Sequence, residues 1–600
     1  MGRPNYESFA EPLAANAEVL PGHLAFIYLD DDEGEHKITF GDLHRRALGI
    51  AHDLLAHAQA GDRALLLLPP GLDYVATIFG CFYAGVIGVS APPPNPHHLE
   101  RTLRRLLRIA ESAGTNTVVT TTPFADAARA VIPPGHPLAG ARWLTADTSP
   151  SSTDMSVIAH PEPGDVAFLQ YTSGSTADPR GVRLTHANLL DNSRFIAEGF
   201  GLDPAMSLGF NWIPPFHDMG LIGAILQPVY LGGMHLDEAA RNRDPERAAS
   251  VLASPLAIVK RPVRWLQGVS RYRATTSGGP NFSYDMCVER IAEKGCEELD
   301  LSSWEVAFNG AEPIRGETMR AFSERFARHG FRFAAFSPVY GLAEVTLMVT
   351  APPKTEAPTI QAFEADALLD NQAIPSVTED GQLLVGCGSP DQGHRVEIVD
   401  PDAGVIVGDG EIGEIWVSGP SVADGYWSDS AEADRVFGAT LPAPDDSDKF
   451  LRTGDLGVVH GGELFVTGRL SDLIILKGRN HHPHDIESLV ESIEPSLIGH
   501  SSAAFELRSR EDEPLIGLVA ESRRTDQEDL QRAIATVRAG VAADLGLPLA
   551  LVAVCERNAI PKTTSGKIQR RLCRTLLVDG ELAIMADWRA PDLAMVPETA

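Results

Sequence analysis

Cysteine is scarce in this sequence, and the few copies form no recognisable pattern. Six cysteines are scattered over 600 residues, with no C-x-x-C pair among them. This spacing argues against a zinc ribbon, a redox dithiol and a disulfide-stabilised fold, and it predicts a reducing, cytoplasmic compartment. Residues 1–6 lead into no apolar run and lack the serine or threonine of a myristoylation motif, so we expect neither an export signal nor a lipid anchor.

Basic residues and long apolar runs are also few. The 50 Lys and Arg residues against 81 Asp and Glu give a net charge of −31, which argues against a nucleic-acid-binding protein that works by counterion release. The uncharged stretch 75–91 is shorter than the roughly 20 residues that a membrane span requires. We therefore expect a buried helix and strand in this stretch, no membrane span and no nucleic-acid partner.

The remaining composition indicates a large multidomain α/β protein. With 44% hydrophobic and 22% charged residues, the chain can bury several cores. Strand-like apolar runs alternate with helix-like segments up to about residue 350, at Arg63–Leu68, Thr117–Thr121, Asp165–Tyr171 and Phe331–Phe336. This alternation predicts layered α/β subdomains with parallel sheets.

Changes in sequence pattern predict the domain boundaries. Short alternating runs with Gly-rich turns, among them Val405–Val407, predict a β-rich subdomain over about 385–468, which completes an N-terminal domain of residues 1–468. Residues 469–600 are predicted to form a small α+β domain. The segment 351–382 is acidic and too long for a simple loop, and its apolar residues favour an insertion with a small fold of its own.

The strongest local motif is the loop Tyr171–Gly181, which follows the apolar run Val166–Leu169. Its hydroxyls and glycines offer O–H and backbone N–H donors at close range, which is typical of phosphate binding, and Arg180 would add positive charge. No Gly-Lys-Ser/Thr closes the loop, so it is not a Walker A motif. A surface loop of the same composition is the alternative.

A basic segment near the end, 561–574, carries Lys567 directly after Ser565 and Gly566. A lysine on such an adaptable loop can reach a site in another domain and neutralise negative charge that develops there. The alternative is a solvated basic face on the final helix.

Three other motifs are weaker. Residues 408–413 match a G-x-G-x-x-G fingerprint, but a strand rather than a helix follows, so we expect a hairpin turn. Residues 480–484 hold three histidines with no nearby cysteine, which argues against a zinc site. The neighbours His217 and Asp218 predict a local hydrogen bond at least as readily as a catalytic dyad.

Taken in order, these segments resemble the adenylate-forming superfamily of acyl and aryl ligases and, within it, the fatty acyl-AMP ligases. The resemblance extends over about residues 20–590 and rests on seven motifs: Tyr171–Gly181, Asn211–Gly220, Asn309–Pro313, Tyr340–Glu344, Arg452–Asp455, Thr467–Asp472 and Lys562–Lys567. It implies that the C-terminal domain is a mobile lid with its hinge near Ser471.

The resemblance implies a two-step reaction that uses ATP and Mg²⁺. A fatty carboxylate attacks the α-phosphate of ATP, which gives an acyl-adenylate and pyrophosphate, and a thiol then takes the acyl group. No general base is required, because a carboxylate is already ionised near pH 7.

The resemblance also implies a role for each motif. The phosphate-holding residues would be Thr172, Ser173, Gly174, Ser175 and Thr176. The adenine slot would be lined by Gly310, Ala311, Glu312, Tyr340 and Gly341. The ribose would be held by Asp455 and Arg469. Glu344 would bind Mg²⁺, Lys567 would bridge the carboxylate and the α-phosphate, and His217 would help to form the wall where the acyl carboxylate enters.

Three positions depart from the wider superfamily. Ala343 stands where most members of the superfamily have threonine, and fatty acyl-AMP ligases resemble this sequence at that position. Arg180 replaces a common lysine. Ser471 occupies the hinge position where aspartate or lysine is usual, which leaves the electrostatics of the hinge open.

The acidic segment 351–382 lies where fatty acyl-AMP ligases carry an insertion that acyl-CoA ligases lack. In that family the insertion is associated with restricting the lid rotation that presents the adenylate to coenzyme A. The implied acceptor is therefore the phosphopantetheine arm of an acyl carrier protein that serves lipid, polyketide or lipopeptide biosynthesis.

Two alternatives stay open. One is a medium- or long-chain acyl-CoA synthetase. The other is a non-catalytic nucleotide-binding scaffold, against which the presence of both Glu344 and Lys567 argues. A basic group formed by Lys260, Arg261, Arg264, Arg271 and Arg273 is either a docking site for an acidic carrier protein or a solvated helix face.

Overall fold

The computed structural model describes residues 6–594 except 94–98, 173–178, 235–243, 355, 379–380, 391–392, 429, 443–446, 477 and 564–565. These residues form an N-terminal body with two large sheets, a smaller antiparallel sheet, and a C-terminal domain with a sheet of its own. The predicted α/β class is confirmed.

Two mostly parallel sheets form the N-terminal body. Their strands are β1 (Leu24–Leu29), β2 (Glu35–Thr39), β3 (Arg63–Leu66), β4 (Ile87–Ser90), β5 (Thr117–Thr120), β6 (Arg142–Thr145), β7 (Val166–Thr172), β8 (Arg180–Thr185), β9 (Gly209–Asn211), β10 (Ser250–Ala253), β11 (Thr276–Gly279), β12 (Val306–Asn309) and β13 (Phe336–Pro338). The six-stranded sheet has the order β6-β5-β3-β4-β7-β8, and the seven-stranded sheet has the order β13-β12-β11-β9-β10-β1-β2. The pairs β7–β8 and β1–β2 are antiparallel.

Helices cover these sheets on their faces. They are α1 (Ala10–Val19), α2 (Phe40–Leu55), α3 (Leu72–Ala84), α4 (Leu99–Ala113), α5 (Thr122–Val131), α6 (His186–Gly199), α7 (Gln227–Met234), α8 (Pro255–Lys260), α9 (Val263–Tyr272), α10 (Asn281–Arg290) and α11 (Gly316–Phe326). A π-helical segment, Met219–Leu226, runs directly into α7. The stretch 75–91 falls in α3 and β4, as predicted.

An aromatic cluster fixes the seven-stranded sheet beneath the site. Trp265, Trp304, Tyr284 and Phe322 are fully buried and meet at tilted or edge-on angles, with ring centroids 5.1–6.1 Å apart. Such pairs contribute about 0.5–1.5 kcal/mol each beyond the area they bury. The Trp265 indole N–H donates to Ser277 on β11 at 2.8 Å, so the cluster also anchors a strand that leads towards the site.

The second part of the N-terminal domain is β-rich. Its elements are β14 (Tyr340–Gly341), β15 (Met348–Thr350), β16 (Ile360–Phe363), α12 (Ala365–Leu369), β17 (Gln382–Val385), β18 (Arg395–Val399), β19 (Gly413–Ser418), α13 (Ser430–Phe437), β20 (Leu451–His460) and β21 (Glu463–Arg469). Strands β18 to β21 form one antiparallel sheet in chain order. The predicted insertion contains β16 and α12, and β16 pairs with β17, which begins at the last residue of the insertion.

Two predicted strands are wrong. The run Phe331–Phe336 contains a 3₁₀ turn at Phe333–Ala335, and β13 begins only at Phe336. Both end residues are buried in the aromatic cluster, and a short apolar run carries no period that separates a buried turn from a strand. At Val405–Val407 only Ile406 pairs, as an isolated bridge to Val399.

The C-terminal domain begins after the end of β21. A turn, Leu470–Asp472, leads to β22 (Ile474–Leu476), β23 (Arg479–His481), α14 (Pro483–Ile493), β24 (Leu497–Ser509), β25 (Pro514–Ser522), α15 (Gln527–Asp544), β26 (Leu549–Cys555), α16 (Arg570–Val578), β27 (Ile584–Arg589) and β28 (Leu593–Ala594). Its five-stranded sheet has the order β27-β26-β25-β24-β28. Across the described ranges, we find no helix with the length and apolar character needed to cross a bilayer.

Candidate active site

A cavity of about 3100 Å³ lies where the N-terminal body, the β-rich sheet and the C-terminal domain meet. Strands β9, β12 and β13 run parallel and end at this cavity, and the segments that follow them carry His217, Glu312 and Tyr340. Ligands of α/β proteins bind at this edge, because loops from neighbouring strands converge there. The fold therefore brings three of the predicted motifs together.

The predicted phosphate loop is only partly described. Strand β7 ends at Thr172, and Ser173–Thr176 lie outside the described residues, so their phosphate contacts stay a prediction. Near the end of the loop, Arg180 pairs with Glu432 at 3.0 Å, and its guanidinium lies 5.4 Å from the centre of the Tyr426 ring. The charge that Arg180 brings to the loop is therefore shared with a carboxylate.

In the predicted adenine slot, the backbone is packed so closely at Gly310 and Gly341 that neither position has space for a side chain. A Cβ atom at Gly310 would lie 2.7 Å from Val339 Cγ2, and one at Gly341 would lie 1.9 Å from the Leu347 carbonyl oxygen. Between them, Ala311 has a φ of +69°, an uncommon conformation for a residue with a side chain. Glu312 accepts a hydrogen bond from the Phe282 N–H at 2.7 Å, and burial raises the pKa of its carboxyl.

The predicted ribose residues form a connected group. Asp455 and Arg469 are direct partners on β20 and β21, and the Arg469 Nε–H donates to Asp455 Oδ1 at 2.8 Å. The Tyr340 hydroxyl donates to the other carboxylate oxygen at 3.0 Å. The charge of Asp455 raises the pKa of Arg469 further above its ordinary value. Side chains more than 110 positions apart in the chain thus meet on one wall of the cavity.

Glu344, the predicted Mg²⁺ ligand, lies on the cavity wall. The Tyr426 hydroxyl donates to Glu344 Oε1 at 3.2 Å, and burial raises the pKa of the carboxyl. Within the described part of the chain there is no group of three or more His, Cys, Asp or Glu side chains placed to hold a metal. Burial lowers the pKa values of His482 and His484 to about 4 and about 3, so both rings are neutral near pH 7.

Lys567 projects from a hairpin turn of the C-terminal domain into the same cavity. The Thr563 N–H donates to the Lys567 carbonyl at 2.7 Å, and Lys562 pairs with Ile568. A Cβ atom at Gly566 would lie 2.8 Å from the Phe282 ring, so the turn packs directly on the N-terminal body. Burial and the charge of Arg469 lower the pKa of Lys567, while Asp218, Asp455 and Glu312 oppose that shift.

Asp218 belongs to this site, although sequence reasoning gave it no role beyond its neighbour. His217 Nδ1 is in contact with the Asp218 carboxylate. Burial raises the pKa of Asp218, but His217 and Lys567 outweigh burial and hold the pKa below its ordinary value. The neighbouring His217 and Asp218 were the only sequence signal for this residue. The sequence did not show that Lys567 approaches Asp218.

Two ion pairs connect the N-terminal body to the C-terminal domain. Arg315 and Glu491 lie 3.4 Å apart, and His500 Nε2 lies 3.0 Å from Asp285 Oδ2. Burial lowers the pKa of His500, but Asp285 and Glu491 raise it by more, so it stands above its ordinary value. These partners are separated by more than 170 positions, and no local motif marks them.

The predicted hinge residue, Ser471, lies in the turn Leu470–Asp472. Its hydroxyl donates to Asp472 at 3.2 Å, and its carbonyl accepts from Arg571 at 3.3 Å. Arg570 donates to both carboxylate oxygens of Glu487 at 2.7 Å and to Asp472 at 3.1 Å. The helix that follows the Lys567 turn is thereby tied to the turn that joins the domains, and the hinge role of Ser471 stays a prediction.

We expect Arg570→Ala to destabilise the C-terminal domain by about 3 kcal/mol, because it leaves the Glu487 charge buried without a partner. The Glu487 side chain is 4% exposed and that of Arg570 is 19% exposed. Because Arg570 is partly exposed, we expect a loss of stability at the lower end of the range for breaking a buried ion pair. Calorimetry on the full chain measures the effect. Arg532→Ala is the control, since Arg532 is 73% exposed and pairs only at the surface. Equal shifts in Tm for the two variants would contradict the prediction.

The basic group around α8 and α9 is mostly paired within the protein. Arg261 and Arg264 lie 3.5 and 2.7 Å from Glu33, and Arg273 lies 3.1 Å from Asp300. Arg271 pairs with Glu35 at 2.5 Å. The alternative of a solvated, self-paired helix face therefore fits better than a preformed docking site.

Comparisons with known proteins agree with this geometry. A family model described as AMP-binding enzyme matches residues 13–427. The chain is 37% identical over 591 residues to the medium-chain-fatty-acid–[acyl-carrier-protein] ligase JamA of Moorena producens, covering 97% of each chain. It is 34% identical over 572 residues to the long-chain-fatty-acid–AMP ligase FadD23 of Mycobacterium tuberculosis, covering 92% of this chain and 93% of that protein. The fatty acyl-adenylate ligase of L. pneumophila, solved with acyl adenylate and pyrophosphate, matches with a TM-score of 0.72 at 34% identity over 98% of both chains.

Proposed function

Because the chain belongs to the AMP-binding enzyme family, we propose that it uses ATP to activate a fatty acid as an acyl-adenylate and then transfers the acyl group to an acyl carrier protein. The observation that carries this proposal is the position of Lys567. It meets Asp218, Glu312, Asp455 and Arg469 in the cavity that also holds the ends of β9, β12 and β13. A cation from the C-terminal domain thus lies in the cavity that the predicted nucleotide-binding residues also line.

The chemistry requires positioning and charge neutralisation more than proton transfer. A carboxylate oxygen of the fatty acid attacks the α-phosphorus, the bond from that phosphorus to the bridging oxygen breaks, and pyrophosphate leaves. Lys567 neutralises charge on both reacting groups, while Asp455 and Arg469 hold the ribose and Tyr340 donates to Asp455. His217 and Asp218 lie beside Lys567 on the side where the carboxylate enters.

The donor set fits one Mg²⁺ ion that is bound together with the nucleotide. Glu344 supplies a carboxylate with one oxygen held by Tyr426, and hard cations of this kind accept few protein ligands and several phosphate oxygens. When bound, the ion supplies further neutralisation of the triphosphate charge. Glu344 is the described residue that we propose to hold it.

The insertion, 351–382, supports the carrier protein as the acceptor. Arg479 on β23 of the lid lies 3.2 Å from Asp366 and 3.4 Å from Asp370, on and beside helix α12 of the insertion. Asn480 donates to Asn371 at 2.9 Å, and Gln382 donates to Asp485 at 2.9 Å. The first hairpin of the lid is thus fastened to the insertion, which would oppose the rotation that admits coenzyme A.

One assay separates the proposal from its alternatives. The protein is incubated with Mg·ATP and fatty acids of graded length, pyrophosphate release is measured, and coenzyme A or a holo acyl carrier protein is then added. We expect pyrophosphate with fatty acids and acyl transfer to the carrier protein. Efficient acyl-CoA formation would favour the acyl-CoA synthetase, and no pyrophosphate with any acid would leave only a nucleotide-binding scaffold.

We expect the triple variant Arg479→Ala, Asn480→Ala, Gln382→Ala to form acyl-CoA about tenfold faster than the unmodified protein, because three lid contacts are lost together. Each contact is partly exposed and weak on its own, so single variants should change the rate only slightly. Adenylation, followed as pyrophosphate release, should stay within about twofold. Arg523→Ala removes an exposed lid arginine and is the control. An unchanged ratio of acyl-CoA to acyl-carrier product would refute the proposal that these contacts hold the lid to the insertion.

A further inference from the structure

Part of the cavity wall is apolar, and we refer to this part as the apolar arm. Its walls include Phe200, Leu231, Ala249, Val259, Leu347 and Met348. The arm also reaches Gly209 and Thr276, the first residues of β9 and β11. The cavity wall thus includes the first residues of these strands as well as the segment that follows β9. The apolar lining suits an acyl chain.

A single amide side chain interrupts one wall of this arm. Gly223, Gln227 and Leu231 are spaced four residues apart on the π-helical segment and α7, and all three line the cavity. Residues at this spacing share a helix face, so Gln227 stands between a glycine and a leucine on the face that borders the arm. Gln227 is only 3% exposed.

The Gln227 amide has no hydrogen-bond partner among the described protein residues. Both its Oε1 and its Nε2 atoms are buried and unpaired, and so is the hydroxyl oxygen of Thr276, which also lines the cavity. Burying an amide without partners is unfavourable, and buried polar groups in proteins are normally paired. A ligand that enters the arm can satisfy both atoms only if it carries a polar group at that depth.

We propose that the preferred substrate is a fatty acid with a hydroxyl group partway along its chain, and that Gln227 binds this hydroxyl. The inference rests on the proposed function and specifies its substrate class. A hydroxyl can donate to Oε1 and accept from Nε2, whereas a keto oxygen can only accept and would leave Oε1 unpaired. Gln227 lies ten positions beyond His217, on the helical run that begins at Met219, so the hydroxyl would lie away from the carboxylate end of the acid.

The test uses dodecanoic acid and its monohydroxy isomers as probes. Pyrophosphate release and the substrate-induced rise in Tm are measured for each acid. We expect a single mid-chain maximum, at which the hydroxy acid exceeds dodecanoic acid by about tenfold in kcat/KM. A flat profile, or a maximum at unsubstituted dodecanoic acid, would overturn the inference and would indicate that the amide holds only ordered water.

The decisive variant is Gln227→Met, which keeps the length of the side chain and removes its polar atoms. It should abolish the preference for the mid-chain hydroxyl, measured within the variant as the ratio of kcat/KM for the hydroxy acid to kcat/KM for dodecanoic acid. Without substrate its Tm should be unchanged or raised, because an unpaired buried amide is lost; a purely structural role for Gln227 would lower the Tm and leave the preference intact. Gln59→Met, at an exposed position, is the control.

The two readouts separate the inference from the proposed function. Absence of pyrophosphate with every acid would contradict the proposed function. The Tm series reports binding independently of turnover. A Tm series without a mid-chain maximum would contradict the inference even if all acids are adenylated.

Discussion

Lys567→Ala is expected to lower the rate of pyrophosphate release at least about a thousandfold, while the variant stays folded. The side chain is the cation that the lid brings to Asp218, Glu312 and Asp455. Removing a preorganised charge or donor from a site of this kind costs a factor of about 10²–10³, and here the same group serves both reactants. Initial rates with a fatty acid and Mg·ATP, together with Tm, measure the effect.

The control for Lys567→Ala is Lys294→Ala, which removes an exposed lysine and should leave the rate unchanged. Lys567→Arg should recover only part of the loss, since a planar guanidinium cannot replace an ammonium ion at the same point. If Lys567→Ala adenylated fatty acids at the normal rate, the role proposed for this residue would be refuted.

The lysine also predicts how the rate depends on pH. Burial and Arg469 lower the pKa of Lys567 below its ordinary value of 10.5. The reaction needs the protonated form, so the rate should fall as the pH rises through this lowered pKa. Lys567→Arg should remove this alkaline limb, because arginine stays protonated. If the rate of Lys567→Arg fell at the same alkaline pH as that of the unmodified protein, a group other than Lys567 would be responsible for the fall.

Glu344→Gln is expected to lower pyrophosphate release by a factor of about 10²–10³ and to raise the Mg²⁺ concentration needed for half-maximal rate. The substitution keeps the shape of the side chain and removes the charge that a hard cation requires. Burial already raises the pKa of this carboxyl, so a nearby cation would also stabilise its ionised form. A titration of Mg²⁺ at saturating ATP and fatty acid measures both quantities.

Tyr426→Phe is the matched comparison for Glu344→Gln. It removes only the hydroxyl that donates to Glu344 at 3.2 Å, so we expect a loss of about threefold in rate and little change in the Mg²⁺ requirement. A normal Mg²⁺ dependence in Glu344→Gln would mean that the ion is held by other groups.

Much of the site could be predicted from local sequence. The strand after which the phosphate loop begins and the turn that carries Lys567 both follow from short-range signals, and the structure has them at or near the expected positions. Such signals survive because turn and cap chemistry depends on only a few neighbouring residues.

Other parts could not be predicted, because their partners are far apart in the chain. Asp218 meets Lys567, Arg315 meets Glu491, and Arg479 meets the insertion only after the domains have packed. The run Phe331–Phe336 failed as a strand for a related reason: burial in a tertiary cluster, and not periodicity, decides its conformation.

The sequence by itself determined the α/β class, the order of the motifs and the identity of the groups that can do chemistry, since these depend on residue type and local spacing. The tertiary structure decided which of those groups share one cavity, which charged side chains are already paired within the protein, and which buried side chain has no hydrogen-bond partner. Arg261 and Arg264 illustrate the second point, and Gln227 the third. The physical reason is that pKa values, desolvation and hydrogen-bond satisfaction are set by neighbours in space, which chain position alone does not specify.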